Sequence, residues 1–205
     1  SNGEANCCLI PIENSLSGSI HKNYDLLLQY DLRIDREFNL QVEHNLIALP
    51  GTQFEKIKTV ISHPVALDQC ESFFKKHPHL DKQSAYDTSG SVKRIMEEKL
   101  GASAAIAGQK AAEYYGAEVL ATGIQDSREN FTRFFLLVSE PQAHGGSRDK
   151  TSIAFSFKNA PGALFKCLSV FALRDIDLFK IESRPIPGRP WEYLFYMDFF
   201  RNGCP

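Results

Sequence analysis

Three short polar segments of this sequence combine hydroxyl, amide and charged side chains in patterns that could hold an anion. Glu13-Asn14-Ser15 follows an apolar run, Thr88-Ser89-Gly90 precedes a helical pattern, and Asn130 to Arg133 comes just before a second apolar run. Hydroxyls and free backbone N–H groups at a helix N-terminus bind carboxylates by hydrogen bonding and through the helix dipole. Arg133 could add a bidentate clamp on a carboxylate. We therefore treat the three segments as candidate parts of one anion site.

Each segment also has a purely structural interpretation. Asn14-Ser15 and Thr88-Ser89 are good helix-capping residues, and spacing alone favours capping. Arg133 could extend along its apolar neighbours or pair with a carboxylate such as Asp126. Taken singly, none of the three segments establishes a site.

Motifs for cofactors and metals are absent from the sequence. There is no GxGxxG or GxxxxGK[ST] phosphate loop, no HExxH and no GxSxG. The six histidines have no metal-ligand spacing, and the five cysteines contain no CxxC. We therefore expect no metal and no cofactor, and chemistry that relies on hydroxyls, amides, carboxylates and arginine.

Composition narrows the class of protein further. The formal net charge is −2, with no block of Lys or Arg, so a broad electrostatic surface for nucleic acid is not expected. No apolar run approaches the ~20 residues that cross a bilayer, so no membrane segment is expected. Cys7 and Cys8 lie in an apolar run and are predicted to be buried small side chains in a reducing compartment.

Strand-like and helix-like apolar patterns alternate through the first two thirds of the chain, which predicts an α/β domain. The helix over Gly18 to Tyr30 has three serines available to cap its start. Gly116 is expected at the C-terminal glycine position of a helix. Strands are predicted over 7–12, 40–49, 59–62, 104–107, 118–121 and 133–138. Helices are predicted over 18–30, from 67 to near His77-Pro78, over 92–100 and over 109–115.

A polar segment with no apolar period, residues 140–150, is predicted to be a linker. Beyond it, Ile153, Phe155 and Phe157 alternate as in a strand, and a helix begins after Pro161-Gly162. Two further strands are predicted over 178–183 and 192–200. This βαββ order is the first part of a ferredoxin-like βαββαβ unit, without its last helix and strand.

Four motifs together resemble one family. Pro11 to Ser15 with Gly18-Ser19 is similar to a first-lobe signature, and Thr132-Arg133-Phe134 is similar to the TRF motif of prephenate dehydratases. Gly162-Ala163-Leu164-Phe165 and Glu182-Ser183-Arg184-Pro185 resemble the two motifs of the ACT regulatory domain attached to these enzymes. The likeness spans nearly the whole chain and includes the related arogenate dehydratases.

The resemblance implies a fold and a domain arrangement. We expect a two-lobed, periplasmic-binding-protein-like catalytic domain over 1–139, a linker over 140–150 and a ferredoxin-like ACT domain over 151–205. Against the family pattern, roughly 70 residues of the catalytic domain and the end of the ACT domain are not in this sequence. Both domains are therefore expected to be incomplete.

The resemblance also implies an activity: the decarboxylative dehydration of prephenate to phenylpyruvate in L-phenylalanine biosynthesis, without a cofactor. Thr132 is expected at the leaving hydroxyl and Arg133 beside an anionic group. Glu13 is our hypothetical proton donor, with water as the alternative. Substrate contacts are expected from Asn14, Ser15, Thr88, Ser89, Gly90, Asn130 and Phe134.

Regulation and assembly are implied in the same way. Gly162 to Phe165 and Glu182 to Pro185 are expected to bind phenylalanine across the interface of a homodimer or homotetramer. A cytoplasmic location is expected, with the plastid stroma as the alternative. Arogenate as substrate, a non-catalytic anion-binding protein and a stand-alone amino-acid sensor remain open alternatives.

Overall fold

A computed structural model describes residues 5–139, 149–186 and 188–200 of the chain. The chain divides into two compact units, residues 1–142 and 143–205. Most of the predicted linker, residues 140–148, lies outside the described residues.

The first unit contains a four-stranded antiparallel sheet with the order β2-β1-β9-β3. Its strands come from distant parts of the chain: β9, which lies between β1 and β3, begins 90 residues after the end of β3. Helix α1 contacts β1. The elements are β1 (Cys7–Asn14), β2 (Gly18–Ser19), β3 (Arg33–Gln41), β9 (Phe131–Val138) and α1 (His21–Gln29).

A five-stranded mixed sheet with the order β6-β5-β7-β4-β8 completes the first unit. Strands β5, β6 and β7 are parallel, and β4 runs antiparallel to both β7 and β8. Its strands are β4 (Asn45–Ala48), β5 (Thr59–Ser62), β6 (Asp81–Ser84), β7 (Ser103–Ala107) and β8 (Glu118–Ala121). Its helices are α2 (Pro64–Asp68), α3 (Glu71–Lys76), α4 (Thr88–Glu98) and α5 (Gln109–Tyr115).

Both faces of this sheet are covered, and its inner strands β4, β5 and β7 consequently consist mainly of small or apolar residues. Leu46, Val60 and Ile106 pack with Leu67 and Phe74 of α2 and α3 on one face. On the other face, Ile47, Ile61 and Ala105 pack with Val92 and Ile95 of α4. Each fully buried Leu or Ile contributes about 1.5–3 kcal/mol. The α/β prediction, with two lobes in the first unit, is confirmed.

The predicted strand over 40–49 is wrong, because the structure divides it between the two sheets. Gln41 ends β3, whereas Asn45 begins β4 in the other sheet. The apolar residues on both sides of Val42 to His44 gave a continuous pattern that conceals the change of sheet. Strand β6, an exposed polar edge strand, had no apolar pattern to reveal it.

Two local predictions about helix ends have different outcomes. Gly116 follows α5 with φ of +67°, so the predicted C-terminal glycine is confirmed. The serine cap of α1 is wrong, since Ile20 holds the N-cap position without a side-chain hydrogen bond. Gly18 and Ser19 instead form the short strand β2, which pairs with Asn14 and Glu13.

The predicted burial of Cys7 and Cys8 is also wrong, because both side chains are exposed. An apolar run predicts a buried strand, but the first three residues of β1 are exposed to solvent. Leu9, the next residue, is 53% exposed.

The second unit has three antiparallel strands in the order β10-β12-β11, with one helix. β12 therefore lies between the two strands that the helix connects, which is the arrangement of the first half of a βαββαβ unit. The elements are β10 (Lys150–Ser156), α6 (Ala163–Ala172), β11 (Leu178–Pro185) and β12 (Tyr193–Phe200). Stacked rings of Phe155, Phe157 and Phe195 lie between β10 and β12.

Candidate active site

Asn14 connects two of the three predicted polar segments. It ends β1 directly opposite Thr132 of β9. Its Nδ2 donates to Asn130 Oδ1 at 2.7 Å, to Thr132 Oγ1 at 3.1 Å and to the Phe131 carbonyl at 3.1 Å. Antiparallel pairing thus brings together side chains that are more than 110 residues apart in the chain.

The orientation of the Asn14 amide is fixed by backbone donors. Its Oδ1 accepts hydrogen bonds from the N–H groups of Leu16 and Ser17, both at 3.0 Å. A backbone N–H can only donate, so this atom must be the oxygen and the other must be the NH₂ group. Thr132 Oγ1 therefore accepts from Asn14, and the hydroxyl hydrogen of Thr132 is available for donation elsewhere.

Ser15 holds the same two segments together. Its N–H donates to the Phe131 carbonyl at 2.8 Å. Its Oγ donates to the Glu129 carbonyl at 2.7 Å and accepts from the Phe131 N–H at 2.9 Å. The Ser15 hydroxyl hydrogen is already donated to the Glu129 carbonyl and is not available to a substrate. Ser15 therefore has a structural role in holding the turn.

Asn130 extends the cluster to the five-stranded sheet. It is fully buried, and its Nδ2 donates to Gln69 Oε1 at 2.9 Å. The same oxygen lies 2.8 Å from His44 Nε2. Sequence reasoning missed Gln69 and His44, because a single polar residue at the end of a helix or before a strand carries no distinctive spacing.

Arg133 lies in an ion-pair cluster. Its Nη2 is 2.7 Å from Glu37 Oε2, its Nη1 is 3.7 Å from Glu13 Oε2, and its guanidinium lies over the Phe135 ring. The Arg133 side chain is 11% exposed. Sequence reasoning missed Glu37, and the alternative pairing of Arg133 with Asp126 is wrong.

Strand geometry separates the Arg133 cluster from Thr132. Successive side chains of a strand point to opposite faces of a sheet. Thr132 and Asn14 share one face, whereas Arg133 and Glu13, which are also directly paired, share the other. A small molecule lying against the Thr132 hydroxyl would therefore have the sheet between itself and Arg133.

Phe134, the third residue of the TRF motif, lies on the same face of β9 as Thr132. It pairs with Pro11 of β1 and Phe38 of β3 and is half-buried. It can present an apolar ring next to the Thr132 hydroxyl.

The third predicted segment begins α4. Asp87 is the N-cap residue, and its carboxylate accepts the N–H of Gly90, while Thr88 and Ser89 form the first turn. A Cβ at Gly90 would lie 2.7 Å from Asp87 Oδ2, so a larger residue here would have to displace the capping carboxylate. The Asp87 carboxylate thus already takes one of the N–H donors that an anion would need.

Thr88 is placed at the same edge of the five-stranded sheet as His44. The parallel strands β5, β6 and β7 all end at this edge, and β4 begins there, since Asn45 pairs with Ala107. Among the described residues, no hydrogen bond joins Thr88, Ser89 or Gly90 to Asn14 or Thr132. The structure brings two polar segments into contact and places the third at the facing edge.

Asp126 belongs to a different local structure at this end of the unit. Its two carboxylate oxygens accept the N–H groups of Glu71 and Ser72, both at 2.9 Å, at the start of α3. Burial alone would raise the Asp126 pKa, but the Ser72 and Glu71 hydrogen bonds outweigh it and hold the pKa below its usual value. A hollow of about 390 Å³ beside it is lined by Ser72 and His77, and includes no predicted site residue.

A hollow of about 210 Å³ lies in the second unit, at the start of α6. Gly162, with φ of +75°, begins this helix, and a left-handed backbone favours glycine here. All four residues of the predicted effector segment, Gly162 to Phe165, line the hollow. Its other lining residues are Phe157, Asn159, Ala160, Trp191, Tyr193 and Phe195.

The second predicted effector segment, Glu182 to Pro185, lies at the end of β11. Ser183 and Pro185 pair with Phe195 and Tyr193, so they share the face of the sheet that carries the hollow. Glu182 and Arg184 point to the opposite face. Only half of this segment can therefore approach a ligand on the α6 side.

The described ranges contain neither a membrane-spanning helix nor a cluster of metal-ligating side chains. No helix there is long and apolar enough to cross a membrane. No group of three or more His, Cys, Asp or Glu side chains in those ranges could hold a metal ion.

Comparison with known proteins identifies the protein family. Residues 1–142 match the family described as prephenate dehydratase. The chain is 48% identical over 201 residues to "Arogenate dehydratase/prephenate dehydratase 2, chloroplastic" from Arabidopsis thaliana, an alignment that covers 93% of this chain and 52% of the relative.

Solved structures share the fold. A prephenate dehydratase from Arthrobacter aurescens in complex with L-Phe is 33% identical, with a TM-score of 0.86, and the match covers 98% of this chain and 67% of that one. A protein described as a novel type of quorum quenching acylase, GqqA, is 29% identical, also with a TM-score of 0.86, over 97% of this chain and 72% of that one.

The chain belongs to the prephenate dehydratase family. The family resemblance of the sequence motifs is confirmed. The chain spans about half the length of the curated relatives it matches.

Proposed function

We propose that this chain carries the catalytic residues of a decarboxylating dehydratase that acts on prephenate. In this reaction the ring carboxylate leaves as carbon dioxide, and the electron pair of the broken C–C bond moves through the cyclohexadiene ring. The hydroxyl across the ring departs and takes up a proton to leave as water. The ring becomes aromatic, which supplies the driving force, so the site has to orient the anion and protonate the leaving oxygen.

The hydrogen-bond direction at Thr132 is the observation that carries the proposal. Because Asn14 donates to Thr132 Oγ1, the Thr132 hydroxyl has its own hydrogen to offer to a departing oxygen. A threonine hydroxyl is too weak an acid to lose this proton near neutral pH. We infer that Thr132 stabilises the leaving oxygen by a hydrogen bond while the proton itself is delivered by another group.

The source of that proton is a separate proposal. Glu13 was the first hypothesis, with water as its alternative, and the geometry favours water. Glu13 lies on the face of the sheet opposite Thr132, where it faces the Arg133 guanidinium. Turnover measured against pH for Glu13→Gln tests this: an unchanged profile supports water, and the loss of one limb of the profile would restore Glu13 as the donor.

Arg133 was predicted to bind an anionic group of the substrate. Its ion pair with Glu37 and its low exposure support a structural role in place of direct binding. We propose that substrate contacts come from Asn14, Asn130 and Phe134, with Thr88 and Ser89 reaching the substrate from the facing edge. A structure of the protein with phenylpyruvate bound would test this division of roles.

The catalytic proposal is tested by removing and then restoring the hydroxyl. Thr132→Ala should lower kcat for prephenate by about 10²-fold, the typical effect of removing one hydrogen-bond donor to an oxygen that gains negative charge. Thr132→Ser keeps the hydroxyl and should retain most of the activity. The assays use the natural-length protein that contains this sequence. Phenylpyruvate is measured by its absorbance in alkali. A change in KM with kcat unaltered would show that Thr132 does not stabilise the leaving hydroxyl.

Arogenate is the second candidate substrate. It differs from prephenate in carrying an amino group in place of the side-chain keto group, and curated relatives at 44–48% identity are named for arogenate. Parallel assays with the two substrates, which yield phenylalanine or phenylpyruvate, decide between them. An acyl-amide hydrolysis assay in the same series covers the activity described for GqqA, and hydrolysis without dehydration would overturn the proposal.

We also propose that the hollow of the second unit binds phenylalanine in an assembled homodimer or homotetramer. Support comes from its aromatic lining, from the glycine turn and from the L-Phe complex of the Arthrobacter relative. Ala163→Leu should fill the hollow and abolish the heat of phenylalanine binding in titration calorimetry. Lys166→Ala, on the exposed side of the same helix, serves as the control. Unaltered binding to Ala163→Leu would exclude the hollow.

The compartment is the last part of the proposal. Several curated relatives are named chloroplastic, which supports the plastid stroma more than the cytoplasm. Immunolocalisation of the native protein tests this, and a purely cytosolic signal would favour the original expectation.

A further inference from the structure

A continuous chain of four side-chain hydrogen bonds joins the two sheets of the first unit. It runs from His44 through Gln69 and Asn130 to Asn14 and ends at Thr132. The successive distances are 2.8, 2.9, 2.7 and 3.1 Å. His44 is 5% exposed and Asn130 is fully buried, so these two side chains are protected from competing water, while Gln69 and Asn14 are half-buried.

The direction of every bond follows from the two backbone donors at Asn14. Since Asn14 Oδ1 accepts from Leu16 and Ser17, Asn14 Nδ2 must donate to Asn130 Oδ1. Asn130 then presents its NH₂ group to Gln69, so the facing Gln69 atom must be the carbonyl oxygen. The deduction starts from two backbone N–H groups, whose donor role cannot be exchanged.

The same deduction fixes the histidine. An oxygen that already accepts from Asn130 can only accept again, so His44 Nε2 must carry a hydrogen and donate it to Gln69 Oε1. A carbonyl oxygen has two lone pairs, and here both have a partner.

We propose that His44 is a positioning residue for Thr132, which it orients through Gln69, Asn130 and Asn14. The two N–H groups on Gln69 Oε1 hold this amide in one orientation, and the amide in turn holds Asn130, whose Oδ1 accepts from the Asn14 NH₂ group. Without the His44 donor, the Gln69 amide is held by one bond in place of two. Asn14 keeps its backbone bonds to Leu16 and Ser17, but its NH₂ group is less restrained on the Asn130 side, and the Thr132 hydroxyl is held less precisely. This inference rests on the proposed function of Thr132.

The first experiment needs no catalysis. Long-range ¹H–¹⁵N NMR of the labelled protein should show the His44 hydrogen on Nε2, and Gln69→Leu should abolish that preference. A neutral His44 with its hydrogen on Nδ1 alone would overturn the proposal.

The second experiment uses a matched pair of substitutions at His44. Glutamine places an N–H donor near the position of Nε2, whereas leucine fills similar space without a donor. His44→Leu should lower kcat about tenfold with KM little changed, which lies within the range of coupled hydrogen-bond networks. His44→Gln should recover most of that loss. Equal losses in the two variants would mean that His44 contributes packing only.

A double-mutant cycle distinguishes failure of this proposal from failure of the catalytic one. If His44 acts through Thr132, His44→Leu should have little further effect in a Thr132→Ala background. Additive losses would overturn the positioning role while leaving Thr132 as a catalytic residue. If Thr132→Ala alone leaves kcat unchanged, the proposed function of Thr132 fails, and the NMR result then stands as a structural finding.

Discussion

Asn14 shows how much a single polar residue can organise when both of its amide atoms are used. Its oxygen is held by a local turn, and its NH₂ group reaches three acceptors on a distant strand. This division explains why an asparagine suits the position: an aspartate would have no donor for Asn130 or Thr132, and a serine could not reach both sides.

Cys70 illustrates the opposite case, a chemically capable residue that the fold makes inert. Burial raises the pKa of its thiol to about 12, and the nearby Asp126 carboxylate adds to the increase. The thiolate, which is the reactive form, is therefore almost absent near neutral pH. Cys7 and Cys8 are exposed and have no such protection.

We predict that alkylation of the native protein at pH 8 modifies Cys7 and Cys8 at least 100-fold faster than Cys70, roughly as expected for a thiolate-dependent reaction with a buried group. Peptide mass spectrometry after timed quenching measures the rates. Labelling in denaturant provides the control, because all three thiols should then react at similar rates. Fast native labelling of Cys70 would contradict its burial.

At the scale of elements, the ends of helices depend on residues brought from elsewhere in the chain. Asp126 lies 55 residues from Glu71, yet its carboxylate satisfies the N–H groups at the start of α3. Sequence patterns predicted one helix from Leu67 to near His77, whereas the structure has two, α2 and α3. The cap at Glu71 was missed because capping motifs are recognised only when the cap is local. In contrast, Gly116 follows α5 directly and was predicted.

Asp126→Ala is expected to destabilise the protein by about 1 kcal/mol at pH 7, the usual cost of losing a cap. The folded-state pKa of Asp126 lies below its unfolded value near 4. Its stabilising effect is therefore full above about pH 4 and is lost as pH falls through the lowered folded pKa. The difference between wild type and variant in urea unfolding should accordingly shrink below pH 4. Asp68→Ala, an exposed carboxylate on α2, should show little change at any pH.

Gly116→Ala should destabilise the first unit by about 1 kcal/mol, since a left-handed φ is unfavourable for a residue with a Cβ. Nothing lies within 4 Å of that Cβ, so the cost comes from the backbone alone. Gly101→Ala is the matched control, because its Cβ is equally unobstructed and its φ is not in that region. Equal unfolding midpoints for the two variants would contradict this account.

At the scale of the whole molecule, the two sheets of the first unit differ in how they are covered. Helices cover both faces of the five-stranded sheet. The face of the four-stranded sheet that carries Thr132 also carries Leu9, Phe38 and Leu40, which are 53%, 46% and 60% exposed. Contiguous apolar exposure of this kind promotes association.

We predict that Phe38→Ser with Leu40→Ser lowers self-association of the 205-residue chain and reduces its binding of an apolar fluorescent dye. Both changes follow from the removal of exposed apolar area beside the Thr132 face. Sedimentation velocity and dye titration measure them. Tyr114→Ser, at an 82% exposed site on α5, is the control and should change neither. If the double variant associates as strongly as the wild type, another surface is responsible for self-association.

The sequence by itself determined the α/β pattern, the family and the polar residue types at Asn14, Asn130 and Thr132. These properties follow from local spacing, which every strand and helix carries in its own residues. Only the tertiary structure decided which of those residues cooperate. Strand pairing set the faces on which Thr132 and Arg133 lie and brought Glu37 to Arg133 across 96 residues. Packing of the two lobes brought Gln69 to Asn130 and His44 to Gln69, across 61 and 25 residues. Contacts over such separations depend on register and on the packing of one sheet against another, neither of which leaves a periodic trace in the sequence.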